Sequence, residues 1–281
     1  MSDAPEPVER DSRGILGPWQ LRQRVTLTRY PSSPALEGLV DRFWAVRWGL
    51  PDGVLHEQQV LTHPGVNLSV GHPDSRLRPG GPVEARCAGV ARRLTTRALA
   101  GAGWTVAAMT TPGGFGAFTD TPVSRFTDRV VPWAEALGGD EAAFVRQVDD
   151  AGDEAARVAV VADALEAARR PDRIADARRV AGLARRAETD RSIRRLDELC
   201  EAAGVGPRTL QRLFLRYAGV SPTWVVRRYR LLEAAEAVRD GQQVSWADVA
   251  VELGYADQAH LIREFHAATG RTPAAYARSQ R

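Results

Sequence analysis

The sequence contains no lysine, so arginine supplies all 38 basic side chains among the 281 residues. Enzymes that form a Schiff base, including those that use pyridoxal phosphate, need a lysine amine. The phosphate-binding loop of nucleoside triphosphatases also uses a lysine. The absence of lysine therefore excludes Schiff-base enzymes, the pyridoxal-phosphate enzymes among them, and nucleoside triphosphatases with this loop.

Cysteine and histidine are scarce, and their spacing does not suit a metal ion. The two cysteines, Cys87 and Cys200, form no C-x-x-C pair. His56, His63 and His72 lie in one part of the chain, but no H-x-H pair places two imidazoles on one face of a strand. We expect no metal site, no cofactor and no disulfide.

Long apolar runs and catalytic motifs are also missing. No stretch approaches the roughly 18 apolar residues of a membrane-spanning helix, and the first residues lack the pattern of a signal peptide. No G-x-S-x-G, H-E-x-x-H or Walker A motif is present. The sequence therefore predicts a cytoplasmic protein that is not an enzyme and does not contact a membrane.

The clearest pattern that is present predicts two short helices and a tight turn between residues 246 and 276. Ser245 has the spacing of an N-cap for the first helix, and Gly254 follows its last turn. Asp257 can cap the second helix, which ends at Gly270. This arrangement indicates a helix-turn-helix, whose second helix enters the DNA major groove.

A second copy of this pattern runs from about Arg195 to Tyr217. Five residue types recur 51 positions apart, at Leu210 and Leu261, Arg212 and Arg263, Phe214 and Phe265, Gly219 and Gly270, and Pro222 and Pro273. Chance rarely repeats so many residue types in step. Between the copies, a helix of about 18 residues starting at Pro222 would span roughly 27 Å, which can hold two reading helices near the 34 Å pitch of B-DNA.

The stretch G-Y-A-D-Q-A-H-L-I-R-E-F followed by G-R-T-P-A-A-Y resembles the second helix-turn-helix of the AraC-type (AraC/XylS) transcriptional regulators. The part that carries both motifs, residues 191–281, holds 14 arginines against 10 acidic residues. The resemblance implies a bacterial-type, sequence-specific regulator that binds promoter or operator DNA. RNA polymerase and a second copy of the chain are further candidate partners.

The residues predicted to contact DNA lie on the outer faces of the two reading helices. They are Arg208, Thr209, Gln211, Arg212 and Arg216 on the first helix, and Gln258, His260 and Arg263 on the second. Arginine suits the O6 and N7 atoms of guanine, and glutamine suits adenine. Ala259 and Ile262 offer no hydrogen bond, so base reading is expected to concentrate under the first helix, with Arg263 contacting phosphate. For His260, capping or packing is an equal alternative.

Seven short β-like runs separated by turns fill the chain from Trp19 to about Thr111, and helical patterns follow. The predicted fold class is α+β, with a β-rich, cupin-like barrel or sandwich and flanking helices, then an all-α domain with two helix-turn-helices joined by a long helix. Residues 20–140 resemble, more loosely, a less characterised sensor-like domain of such regulators. The predicted parts are a leader (1–18), a β-rich sensor domain (19–150), a helical linker or dimerisation segment (151–190) and the DNA-binding domain (191–281).

The sensor part carries many aromatic residues. Trp44, Trp48, Trp104 and Phe115 are candidates to line an apolar effector site, with plain core packing as the alternative. A regulator that binds a small effector is the favoured function. Two alternatives stay open: a constitutive DNA-binding protein whose N-terminal domain only dimerises, and a catalytic barrel fused to a DNA-binding domain.

Overall fold

The computed structural model describes residues 25–60, 63–239, 244–253, 255 and 257–279. The predicted leader, residues 1–18, and Gly254 lie outside the described residues. A β-rich part comes first, and helices alone make up the C-terminal part. The predicted α+β class is therefore confirmed.

Eight strands form the N-terminal part: β1 (Val25–Pro31), β2 (Val40–Gly49), β3 (Leu55–Val60), β4 (Asn67–Gly71), β5 (Glu84–Ala88), β6 (Thr95–Ala100), β7 (Ala102–Thr110) and β8 (Val130–Pro132). Six of them form an antiparallel sheet in the order β1-β2-β7-β4-β5-β8, and β3 pairs with β6. The first seven strands overlap the seven predicted runs. The helical prediction beyond residue 111 is wrong at β8, because Val131 pairs with Cys87 at the sheet edge.

Ten α-helices follow in the described part of the chain: α1 (Trp133–Leu137), α2 (Glu141–Asp149), α3 (Glu154–Ala168), α4 (Pro171–Thr189), α5 (Leu196–Ala203), α6 (Pro207–Tyr217), α7 (Pro222–Arg239), α8 (Trp246–Glu252), α9 (Gln258–Thr269) and α10 (Pro273–Ser279). Pro171 separates α3 from α4, since proline starts a helix more readily than it continues one. The connector α7 has the expected 18 residues.

Alternation along the strands decides where the main core lies. On β2, Phe43 and Ala45 are buried in the main core, where α3 contacts β2 and β7. Helix α4 is central to this core, because Ala177, Val180 and Ala184 on it are completely buried. The helices between residues 151 and 190 therefore pack as part of the core. That they also pair two copies of the chain stays a prediction.

The two helix-turn-helices differ in how they attach to the rest of the chain. The first, α5–α6, belongs to the main core through Leu210 and Phe214, whereas the second, α8–α9, has a smaller core of its own around Leu261 and Phe265. Gly116 lies so close to the Tyr217 ring that an added Cβ would overlap it. The first helix-turn-helix (α5–α6, the first head) therefore shares its core with the β-rich part, whereas the second (α8–α9, the second head) has a core of its own.

Candidate nucleic-acid interface

Side-chain caps fix the ends of the helices in the second head. The Ser245 hydroxyl accepts a hydrogen bond from the Asp248 N–H at 3.4 Å, and the Asp257 carboxylate accepts one from the His260 N–H at 2.6 Å. Each cap satisfies a backbone donor that has no partner within its helix. Both predicted caps are therefore confirmed.

The internal repeat is visible in the structure. The aligned residues Leu210 and Leu261 are both completely buried, as are Phe214 and Phe265. The aligned glycines Gly219 and Gly270 have φ angles of +79° and +70°, and the left-handed region favours glycine. Both prolines of the repeat, Pro222 and Pro273, begin helices. The two heads therefore use the same residues for the same structural roles.

The outer face of α6 presents the predicted DNA-reading side chains. Arg208, Gln211, Arg212 and Arg216 are exposed and follow helical spacing, and Thr209 is half-buried. The opposite face carries the buried Leu210, Phe214 and Tyr217. Burial of that apolar face holds the polar face toward solvent.

Helix α9 presents fewer polar groups. Gln258, Ala259 and Arg263 are exposed, and Ile262 is half-buried. His260 is also half-buried, and its ring meets the Tyr255 ring edge-on with 5.0 Å between centroids. This contact supports the packing alternative for His260.

The arginines of these two faces are available to an anionic partner. Among the described residues, no ion pair involves Arg208, Arg212 or Arg263. Such guanidinium groups can meet base edges or phosphates without first breaking a salt bridge.

The connector α7 is clamped by two buried arginines. Arg228, 5% exposed, donates to the carbonyls of Ala91 and Arg92 at 3.2 and 3.3 Å. Burial lowers the pKa of Arg228 to about 10, so the group stays charged at neutral pH. Arg230, 9% exposed, donates to the carbonyls of Ala187 and Asp190. These bonds tie the connector to the loop before β6 and to the end of α4.

A backbone contact links the same loop to the second head. The Leu94 N–H donates to the Ala267 carbonyl at 3.0 Å, and the Leu94 side chain packs on the core of that head. The β-rich part therefore touches the first head, the connector and the second head.

The four aromatic candidates for an effector site are not brought together. Trp104 pairs with Arg47, and Trp48 pairs with Gly103, so Trp104 lies on the face opposite Trp44 and Trp48. Trp48 packs in a small cluster with Val25, Leu50 and Leu99, whereas Phe115 belongs to the main core. The Arg157 guanidinium covers the Trp104 ring at 4.0 Å. The four rings therefore form no single cluster, although the His72 ring lies 6.1 Å from the Trp48 ring and 5.9 Å from the Trp104 ring. That these residues contact an effector stays a prediction.

An open cleft of about 1510 Å³ lies where the sheet, α4 and α7 meet. Val40, His63, Arg178, Arg185 and Tyr229 are among its lining residues. The His63 and Tyr229 rings meet edge-on at 5.7 Å. The buried Tyr229 hydroxyl and His63 Nδ1 have no hydrogen-bond partner among the described residues.

Burial, together with the carboxylates of Glu188 and Asp41, holds the pKa of Tyr229 well above its usual value. Its hydroxyl therefore stays protonated and can donate a hydrogen bond. Buried polar groups in folded proteins usually have a hydrogen-bond partner, which ordered water or a ligand can supply.

Two classes of site are not found in the part of the chain that the structure describes. No group of three histidine, cysteine or acidic residues could hold a metal ion. No helix among those residues is long and apolar enough to cross a membrane.

Sequence reasoning missed the cleft and the buried arginines. The stretch Arg227-Arg228-Tyr229-Arg230 has the composition of an exposed helix face, and only the packing of α7 against distant elements buries three of its four side chains. The one feature of the sequence that could have indicated their burial is their position midway along the connector.

Two family models match the chain. Residues 199–279 match a helix-turn-helix domain, and residues 28–132 match a domain of unknown function, DUF6597. A probable transcription factor of Proteus vulgaris, PqrA, is 32% identical over 82 residues, which are 29% of this chain and 66% of PqrA. The chain thus spans about two thirds of the length of this relative.

Solved structures also show similarity. The C-terminal domain of AraT, a response regulator of Geobacillus stearothermophilus, is 24% identical with a TM-score of 0.29, over 34% of this chain and 84% of that one. ToxT of Vibrio cholerae is 9% identical with a TM-score of 0.38, over 90% and 98% of the two chains.

Proposed function

We propose that this chain, which carries an AraC-type helix-turn-helix domain behind a DUF6597 domain, is a sequence-specific DNA-binding transcription regulator. The observation that carries the proposal is the pair of equivalent helices, α6 and α9, whose outer faces expose arginines that form no ion pair with any described residue. A helix of this kind reads base edges in the major groove. An 18-residue connector of roughly 27 Å lets one chain address two successive groove segments.

Selection from random duplex DNA tests this proposal. The full chain is the material to use, because the first head shares its core with the β-rich part. We expect enrichment of one sequence and an affinity that falls steeply with salt, since arginines displace counterions from phosphates. A well-folded protein that enriches no sequence would contradict the proposal.

We further propose that a small effector binds in the cleft between the sheet, α4 and α7. The Tyr229 hydroxyl and His63 Nδ1 have no hydrogen-bond partner there among the described residues. Arg178 and Arg185 of α4 line the same cleft, as do four acidic residues. The protonated Tyr229 hydroxyl suits a ligand with a carbonyl oxygen that accepts its hydrogen bond. Because Tyr229 lies on α7, such a ligand would contact the helix that joins the two heads.

Tyr229→Phe separates a ligand-binding role from a structural one. The change removes an unpaired hydroxyl, so we expect the free protein to unfold at the same or a higher temperature. Ligands found by thermal-shift screening should lose most of their stabilising effect, which is about 2.7 kcal/mol at one hundred times Kd for the unchanged protein.

Two outcomes would contradict the effector proposal. One is a lower unfolding temperature of ligand-free Tyr229→Phe, which would mean that the hydroxyl is already paired. The other is unchanged ligand binding by the variant. A matched control is Tyr30→Phe, since the Tyr30 hydroxyl is already paired, to Glu154 at 2.7 Å. Conversion of a ligand to product would favour the catalytic alternative.

A further inference from the structure

A second, smaller cleft lies between the two heads. It has a volume of about 400 Å³ and is lined by Arg194, Arg195, Leu196, Thr223, Arg227 and Leu253. Its walls are the start of α5 in the first head, the first turns of α7, and the end of α8 in the second head. The cleft is therefore lined by elements of both heads and of the connector.

The charge of this cleft is positive on every wall that carries charge. Three of its six lining side chains are guanidinium groups, and no lining residue among those described is acidic. Two carboxylates lie beside the cleft: Glu198 accepts hydrogen bonds from the Arg194 and Arg195 N–H groups at 2.5 and 2.8 Å, and Glu252 pairs with Arg194 at 3.4 Å. The Arg227 guanidinium carbon lies 4.7 Å from the centroid of the Tyr255 ring.

The position of the cleft indicates which anion can reach it. In a helix-turn-helix the first helix crosses the sugar-phosphate backbone while the second enters the groove. Here α5 and α8 are the first helices of the two heads, and the cleft lies at the start of one and the end of the other. Arginine and threonine are side chains that bind phosphate oxygens.

We propose that this cleft binds a phosphate of the DNA backbone between the two half-sites. Arg195 and Arg227 neutralise it, and Thr223 donates a hydrogen bond. The contact carries no sequence information and sets the register of the two reading helices along the duplex. This inference rests on the proposed function, because it assumes that the chain binds DNA.

The salt dependence of affinity tests the inference with the full chain and the selected duplex. Arg195→Gln and Arg227→Gln keep much of the side-chain volume and remove the charge. Each should lower the slope of log K against log salt by about one, which amounts to roughly a fivefold loss of affinity at 0.15 M salt. The selected sequence should be unchanged, and Arg227→Lys should restore most of the slope.

Glu252→Gln should instead make the slope of log K against log salt steeper by about one, because it releases Arg194 from its ion pair. Arg129→Gln is the matched control, since Arg129 pairs with Glu135 at the remote edge of the sheet, and its slope should equal that of the unchanged protein.

The outcomes separate this inference from the proposed function. If the unchanged chain binds no DNA, the proposed function fails. If it binds but both glutamine variants keep the full slope, the cleft does not hold a phosphate. Loss of a base preference in either variant would also overturn the inference, because the group would then be reading sequence.

Discussion

Replacing Phe265 with alanine is expected to destabilise the second head by about 3–5 kcal/mol, the usual cost of removing a fully buried ring. Phe265 is completely buried, and the Trp246 and Tyr276 rings pack against it at 4.9 and 5.5 Å. This head has its own core, so the loss should be local. In native-state hydrogen exchange, the amides of α8, α9 and α10 should lose protection while those of the main sheet keep it.

The control for this experiment is Val251→Ala. Val251 lies on α8 of the same head but is 71% exposed, so its truncation should leave exchange nearly unchanged. If Phe265→Ala instead lowers the protection of the sheet amides by the same amount, the two cores unfold as one cooperative unit. The expectation that the second head unfolds by itself would then be wrong.

Arg212→Ala is expected to reduce affinity for the selected DNA by about 1–3 kcal/mol, or roughly 5- to 150-fold, and to relax preference at an identifiable base pair. The reason is that Arg212 is exposed on α6 beside Gln211 and Arg208 and pairs with no acidic residue in the described part of the chain. Arg263→Ala on α9 should instead weaken all sequences by a similar factor and lower the salt slope by about one. Repeating the site selection with each variant measures both effects.

Arg146→Ala, on the exposed surface of α2, controls for the loss of one positive charge far from both heads. The reverse pattern is physically possible, because Ala259 and Ile262 can discriminate by contact with a thymine methyl. If Arg263→Ala loses one base preference while Arg212→Ala loses affinity uniformly, the roles of the two heads are exchanged.

The C-terminal part of the fold was predictable because its signals are local. N-caps at Ser245 and Asp257, a left-handed glycine at Gly270 and apolar spacing each depend on a few neighbouring residues. The repeat then supplied a second, independent copy of the same signals. The exposure of Arg212 and Arg263 followed from the same helical spacing.

The N-terminal part was predictable only as a set of strands. Period-two patterns located seven of them, but pairing is decided by residues far apart in sequence. The face of Trp104 depends on its register with Arg47, and no local pattern contains that register. The three-residue strand β8 is too short to show a period-two pattern. It forms because Val131 pairs with Cys87 of β5 at the edge of the sheet.

Neither cleft could be predicted from the sequence, because each is formed by residues that are far apart along the chain. His63 and Tyr229 are 166 positions apart and meet only because α4 and α7 pack on the sheet. Buried arginines such as Arg228 look like solvent-exposed residues in a sequence, since only the carbonyls of Ala91 and Arg92 make their burial favourable.

Hydroxyl-radical footprinting of the full chain on its selected duplex tests the central claim most directly. If one chain presents two reading helices to successive turns of the groove, a single bound protein should protect two patches on one face of the DNA, about 10 base pairs apart. Arg212→Ala should weaken the patch under the first head more than the other. Protection of one patch only, or of two patches that appear only when a second copy binds, would contradict the account.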